Sequence, residues 1–136
     1  MKISLFLVLL LIAASAFAAD VEKFVAPDKS ATLVVDKSGR RDVIELRSGK
    51  RAHRLFYEDL DSTFRPKIGV AFKASLDKVG KVVPPTFTSA RWISSDELEI
   101  KGNSAVTIND EGHEFIFSAV ILKSGNVKSL TVVPTG

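Results

Sequence analysis

The sequence has no cysteine among its 136 residues, and this absence excludes several classes of protein at once. The chain cannot be a disulfide scaffold, a thiolate-ligated zinc or iron–sulfur protein, or a cysteine hydrolase. It also lacks a Gly-x-Ser-x-Gly elbow and a glycine-rich phosphate loop, so neither a serine hydrolase nor a nucleotide-binding enzyme is indicated. After the first eighteen residues no apolar run is long enough to cross a bilayer, which excludes a polytopic membrane protein.

The first eighteen residues have the organisation of a signal peptide. Lys2 precedes an almost unbroken apolar run over residues 3–14, which is shorter than the roughly 20 residues that span a bilayer. Residues 16–18, Ala-Phe-Ala, then supply the small side chains that a signal peptidase requires. We therefore expect residues 1–18 to be removed and residues 19–136 to form one domain in the periplasm or the medium. No lipid-bearing cysteine and no transmembrane segment are expected in the mature chain.

The rest of the sequence predicts an all-β fold. Nine segments are rich in Val, Ile, Phe and Thr and are separated by turn residues. These segments are residues 31–36, 41–47, 52–57, 67–74, 90–93, 97–101, 105–108, 114–122 and 127–133. Ser-Gly pairs between several of them are typical of tight hairpins, and no sustained 3.6-residue period indicates a helix longer than a turn or two at 73–79. We predict an antiparallel meander of eight or nine strands.

Two irregular stretches interrupt this pattern, at residues 58–67 and 78–88. The second contains Pro84 and Pro85, and because proline cannot donate to a sheet we predict a linker there. The linker joins two similar halves, at about 26–77 and 89–133. Each half has an aspartate turn, then a strand, and later an apolar strand that ends in a basic residue followed by Ser-Gly.

This order resembles the blade of WD-type and TolB-type β-propellers. The likeness is carried by residues 92–96, Trp-Ile-Ser-Ser-Asp, and by residues 44–50, Ile-Glu-Leu-Arg-Ser-Gly-Lys. The first half lacks the tryptophan, and the second lacks the proline and glycine of the family's turn. The resemblance implies two propeller-like blades, which cannot close a ring alone because propellers have four or more blades. Without that relationship, the same hairpins make a two-sheet sandwich.

Most candidate binding residues lie in one stretch where basic and acidic side chains follow one another. They are Arg51, His53, Arg54, Glu58, Asp59 and Asp61, together with the sole tryptophan, Trp92. His53 lies between Arg51 and Arg54 in the sequence, and the next carboxylate after it is Glu58. Asp59 and Asp61 have the alternate spacing that opens a calcium loop, but the glycine and distal glutamate of an EF-hand are missing. Trp92 either packs between sheets or stacks on a ligand.

A second polar cluster is the hairpin that carries Asp110, Glu111 and His113. Side chains two residues apart share one face of a strand, so Glu111 and His113 can approach one divalent ion. Their spacing is not a recognised zinc motif, and solvated turn residues account for it better. We predict neither a metal nor another cofactor.

Charge is distributed unevenly along the chain. Residues 37–54 contain seven basic and two acidic residues, whereas residues 96–114 contain six acidic and one basic. These opposed segments can pair within one chain, pair between chains, or present two faces to partners. A nucleic-acid partner is not expected, because only Phe56 and Tyr57 lie beside the basic segment as stacking platforms. An anionic cell-surface polymer suits that segment better.

The sequence therefore predicts an exported, non-catalytic binding protein that recognises another protein or a component of the cell envelope. It can be oligomeric, and its strand edges and the loops 58–65 and 78–88 are the surfaces expected to bind. The alternative is a small-ligand carrier in which residues 114–122, apolar on both faces, line a cavity in a barrel-like body. A small hydrolase that uses the acids and histidines is the less favoured third class.

Overall fold

A computed structural model describes residues 20–135, which form nine strands and one α-helix. The first part of the chain contains β1 (Val21–Val25), β2 (Ala31–Asp36), β3 (Val43–Ser48), β4 (Arg51–Arg54) and the helix α1 (Leu60–Phe72). A 3₁₀ turn at Leu76–Lys78 leads to β5 (Val79–Val82), β6 (Thr86–Trp92), β7 (Glu97–Ile108), β8 (Glu111–Leu122) and β9 (Val127–Pro134). The predicted signal peptide lies outside the described residues.

The strands form two antiparallel sheets, which confirms the prediction of an all-β, two-sheet fold. The first sheet is a meander in the order β1-β2-β3-β4. The second has the order β5-β7-β8-β9, and β6 also pairs with β7. β7 and β8 have 12 residues each and pair along their whole length. They are therefore about twice as long as the strands of the first sheet, so the first sheet faces only part of the second.

One hydrophobic core fills the space between the two sheets and α1. Because side chains alternate along a strand, each sheet presents one apolar face to this core. The fully buried residues on these faces include Leu33, Val35 and Leu46 of the first sheet and Ile100, Ala119 and Ile121 of the second.

α1 covers the part of the second sheet that the first sheet leaves open. Phe64 is 0% exposed, and its ring centroid lies 5.6, 5.7 and 5.1 Å from those of Phe56, Phe115 and Phe117. The helix approaches β5 and β9, the two outer strands of the sheet order, most closely. The interior that a barrel-like carrier needs is thus filled by aromatic rings.

The prediction of a strand at residues 67–74 was wrong, because most of this segment belongs to α1. Leu60, Phe64 and Ile68 are buried at intervals of four residues, which is the spacing of a helix face. The alternation of Ile68 with Val70 imitated a strand, yet Val70 is 80% exposed. The first turn of the helix lies in the acidic stretch that was predicted to be a loop, so its period was hidden.

The remaining corrections concern strand boundaries. Most of the predicted linker at 78–88 lies in β5 and at the start of β6, and only residues 83–85, which include both prolines, connect them. The predicted strands 97–101 and 105–108 are one strand, because Gly102 continues the ladder opposite Phe117. β1 was not predicted, because Glu22 and Lys23 interrupt the alternation of apolar and polar side chains in its sequence, VEKFV.

Aspartates fasten two hairpin turns of the first sheet. Asp28 Oδ1 accepts hydrogen bonds from Ser30 Oγ at 2.6 Å and Ser30 N at 3.0 Å. Asp36 Oδ1 accepts the equivalent bonds from Ser38 at 2.6 and 2.9 Å. These bonds lower the pKa of each carboxyl below its ordinary value. The bond from the serine hydroxyl has the larger effect, and the bond from the serine backbone N–H has the next largest.

These lowered pKa values give an expected pH dependence. Each carboxyl has a lower pKa in the folded protein than in the unfolded chain, where the pKa is near 4. It therefore stabilises the fold at any pH above about 4, and this contribution is lost as the pH falls through the folded-state pKa. We expect the S30A/S38A double variant to lose less unfolding free energy than the wild type between about pH 6 and about pH 2.5. Urea unfolding at each pH measures this difference, and equal losses would contradict the role of the hydroxyls.

Candidate functional site

A cleft between β4 and the β8–β9 hairpin brings together four of the seven predicted binding residues. Its volume is about 310 Å³, and we call it the β4 cleft. Its lining consists of His53, Arg54, Leu55, Phe56, Glu58, Asp59, Ile121, Gly125 and Val127. Leu55, Phe56 and Ile121 are buried and supply an apolar floor. The polar side chains therefore surround a hydrophobic base.

The chain turns sharply at Phe56, and this turn places the polar residues around the cleft. Phe56 has a φ of 55°, in the left-handed region that a bulky side chain rarely adopts. Its buried ring lies 5.6 Å from that of Phe64 and 5.4 Å from that of Phe117. Packing of the ring thus holds a strained backbone, as is common at functional sites. The turn allows Arg54 and Glu58 to reach the same surface.

The second wall of the cleft depends on a close approach between Gly125 and His53. His53 lies opposite Leu46 in the first sheet, so its side chain is on the inner face. Gly125, in the β8–β9 turn, has a φ of 94°, and a Cβ atom placed on it would lie 3.0 to 3.3 Å from His53 atoms. A glycine at this position therefore lets the hairpin of one sheet close against the edge of the other.

We expect Gly125→Ala to lower the free energy of unfolding by about 2 kcal/mol, through backbone strain and the contact with His53. Gly49→Ala is the matched control, since Gly49 also has a positive φ, of 60°, but no atom lies within 4 Å of the position that its Cβ would occupy. The control is expected to lose about 1 kcal/mol, from backbone strain alone. Urea unfolding compares them, and equal losses would show that His53 does not restrict the hairpin.

Arg54 extends the site from the cleft onto the outer face of the first sheet. Its Cζ atom lies 3.8 Å from the centroid of the Tyr57 ring, and Arg41 Cζ lies 5.1 Å from the same centroid. Tyr57 is 42% exposed. Glu45 lies opposite Arg54 in the strand register, but it forms an ion pair with Arg47 instead. Glu45 Oε1 lies 2.5 Å from Arg47 Nε. Within residues 20–135 neither arginine on Tyr57 forms an ion pair.

The two oppositely charged segments do not pair with each other in the part of the chain that the structure describes. Lys37 of the basic segment pairs with Asp42 of the same segment, at 3.4 Å. Asp96 of the acidic segment lies 3.8 Å from Lys123, which also approaches Asp28 at 3.8 Å. The basic segment therefore keeps a net positive charge.

The other three predicted binding residues lie away from the cleft lining. Asp61 Oδ1 accepts a hydrogen bond from Val82 N at 2.9 Å, which fastens α1 to β5. Trp92 Nε1 donates to the Phe24 carbonyl at 2.8 Å, so the half-buried indole joins β6 to β1. Arg51 is exposed at the start of β4.

The hairpin that carries Asp110, Glu111 and His113 owes its residue types to the turn and to packing. Asn109 and Asp110 have φ values of 53° and 65°, as a two-residue type I′ turn requires. The His113 ring lies 5.4 Å from the Phe72 ring, at the end of α1. Between residues 20 and 135 no three His, Asp or Glu side chains are grouped so that they could hold a metal ion.

Sequence reasoning missed several parts of the site. Tyr57 and Arg41 were seen only as an aromatic residue and a basic residue, because their stacking depends on the turn at Phe56. Gly125 was predicted to lie in a hairpin, but its contact with His53 requires the packing of one sheet on the other. The position of the single tyrosine close to several arginines was the one local sign in the sequence that Arg41 and Arg54 lie over the Tyr57 ring.

Comparison of the chain with protein-family models, curated proteins and solved structures finds no match. The likeness to propeller blades rests on sequence motifs, and it stays a prediction. A turn that carries Asp28 precedes β2, and a bend that carries Asp96 precedes β7. Among the described residues, the only α-helix is neither long nor apolar enough to cross a membrane.

Proposed function

We propose that this protein is an exported, non-catalytic binding protein that recognises another protein or a component of the cell envelope through the β4 cleft. The observation that carries the proposal is the arrangement of Arg54, Glu58 and Asp59 around an apolar floor. None of these three side chains forms an ion pair within residues 20–135. A concave apolar base with a few unpaired polar groups is the usual composition of a recognition site.

The surroundings of His53 favour binding over acid–base catalysis. A catalytic histidine is normally oriented by a hydrogen bond to a carboxylate or carbonyl and lies within reach of a nucleophile. Within the described chain the side chain of His53 makes no such hydrogen bond, and it packs against Gly125. This packing suits a residue that shapes the cleft.

The filled interior favours surface recognition over a carrier function. The rings of Phe56, Phe64, Phe115 and Phe117 occupy the space enclosed by α1 and the second sheet. An apolar ligand inside the body would have to displace them. Export is proposed from the character of residues 1–18 alone.

Site-specific photo-crosslinking in the organism that makes the protein tests this proposal. Benzoylphenylalanine replaces Asn126, which is exposed in the β8–β9 turn between the cleft residues Gly125 and Val127. The matched control replaces Val70, which is exposed on α1. We expect a discrete adduct from position 126 that is absent from position 70 and is lost when Arg54→Ala is added. Adducts of equal yield at both positions, or no adduct at position 126, would contradict the assignment of the site.

A further inference from the structure

The outer face of the first sheet carries positive charge on several strands. The register places Lys23, Val34, Glu45 and Arg54 in one row across the four strands. The neighbouring row contains Arg47, and Arg41 stands beside Arg54 over Tyr57. We define the outer basic face as Lys23, Lys29, Arg41, Arg54 and Tyr57. Arg47 also lies on this face, but Glu45 balances its charge.

We propose that the outer basic face binds a linear anionic polymer, whose repeated oxyanions are recognised by Arg41 and Arg54 held over Tyr57. This inference rests on the proposed function, since it names the chemistry of the envelope component. Arg54 belongs to both surfaces, because it lines the β4 cleft and stacks on Tyr57.

The extent of the face indicates a polymer rather than a single small anion. A groove of about 330 Å³ at one end is lined by Lys23, Lys29 and Arg47, among other residues. The Tyr57 stack occupies the β4 side of the sheet. Neighbouring strands are about 4.8 Å apart, so these two groups are separated by roughly 10–15 Å. A chain with regularly spaced charges can contact both at once.

The acidic groups of this region leave the two stacked arginines unneutralised. Glu45 is held by Arg47, and Asp36 accepts hydrogen bonds from Ser38. Glu58 and Asp59 line the β4 cleft with Arg54 but form no ion pair with it. Within residues 20–135, no carboxylate pairs with Arg41 or Arg54. The two guanidinium groups are therefore available to an external anion.

Tyr57 holds the two guanidinium groups in a position that suits them to bind oxyanions. A guanidinium group that stacks on an aromatic ring uses its face for the contact and leaves the N–H groups on its edge free. These N–H groups can donate in pairs to phosphate or carboxylate oxygens. The Arg54 and Arg41 guanidinium groups, whose Cζ atoms lie 3.8 and 5.1 Å from the centroid of the Tyr57 ring, compete with a nucleic-acid base for stacking on that ring. The recognised groups are therefore oxyanions of the polymer, and either phosphate or carboxylate can supply them.

Fluorescence anisotropy with labelled polymers tests the proposal on the exported protein at about 50 mM salt. The probes are polyphosphate and poly-L-glutamate. The test variant R41A/R54A is matched by R91A/K101A, which removes two positive charges from the outer face of the second sheet. We expect at least about tenfold weaker binding for R41A/R54A and less than about twofold for the control.

A charge-neutral variant separates positioning from simple electrostatic attraction. Tyr57→Ala keeps the net charge but removes the platform, so we expect about threefold to tenfold weaker binding, while Tyr57→Phe retains the wild-type affinity. Thermal unfolding of each variant confirms that the fold is intact. Tighter binding of polyphosphate than of polyglutamate would identify phosphate as the recognised group, and the reverse order would identify carboxylate.

Three results would overturn the inference. They are equal losses in R41A/R54A and R91A/K101A, no effect of Tyr57→Ala, and no measurable binding of either polymer to the wild-type protein. Failure of this inference can be distinguished from failure of the proposed function. An adduct at position 126 without polymer binding would remove only the outer basic face. Polymer binding without the adduct would remove only the assignment of the β4 cleft.

Discussion

Replacing Phe64 with alanine is expected to lower the free energy of unfolding by about 3–5 kcal/mol. The ring is 0% exposed and contacts the rings of Phe56, Phe115 and Phe117. It thereby joins α1 to the second sheet and to the turn that forms the β4 cleft. Its removal takes away buried apolar surface and leaves a cavity that the surrounding rings can fill only in part. Urea unfolding followed by circular dichroism measures the loss.

Val70→Ala is the matched control for this variant. Val70 lies on the same helix but is 80% exposed, so the change should alter the free energy of unfolding by no more than about 0.5 kcal/mol. If Phe64→Ala cost less than about 1.5 kcal/mol, α1 would not be held to the second sheet as the structure shows.

Gly102→Ala is expected to destabilise the protein by about 3 kcal/mol. A Cβ atom on Gly102 would lie 2.4 Å from the Thr86 carbonyl oxygen and 2.9 Å from two atoms of the Phe117 ring. The carbonyl belongs to β6, which pairs with β7 here, and the ring is part of the core. Neither can move without disturbing its neighbours, so the methyl group must displace strand or core. The same urea measurement reports the effect.

Gly112→Ala provides the comparison, because Gly112 lies in β8 and no atom lies within 4 Å of the position that its Cβ would occupy. We expect a change between about zero and a gain of about 1 kcal/mol, since alanine restricts the unfolded chain more than glycine does. Equal effects in the two variants would show that the crowding at Gly102 does not limit the fold.

Local patterns in the sequence predicted the strand-rich class and most hairpins, because these depend on neighbouring residues. The Ser-Gly turns and the alternation of Phe115 with Phe117 are examples. α1 was not predicted, since its buried residues, Leu60, Phe64 and Ile68, extend from a segment that is locally acidic and irregular. The continuity of β7 through Gly102 depends on Phe117 in the partner strand, which no local pattern shows.

The candidate site was predicted in part for the same reason. His53, Arg54, Glu58 and Asp59 are close in sequence, so their proximity at one turn could be inferred. Gly125, by contrast, comes from the opposite sheet and meets His53 only after the sheets pack. The packing of Trp92 against β1 was one of the two alternatives weighed from the sequence.

We propose that the protein holds a partner at the β4 cleft. Native mass spectrometry of the protein, taken gently from its own compartment, tests it most directly. The wild type is expected to retain an added mass, and the R54A/E58A double variant is expected to lose it while keeping the wild-type unfolding curve. A variant with Val70→Ala should retain the added mass. Bare wild-type protein, or the same added mass on R54A/E58A, would contradict the claim.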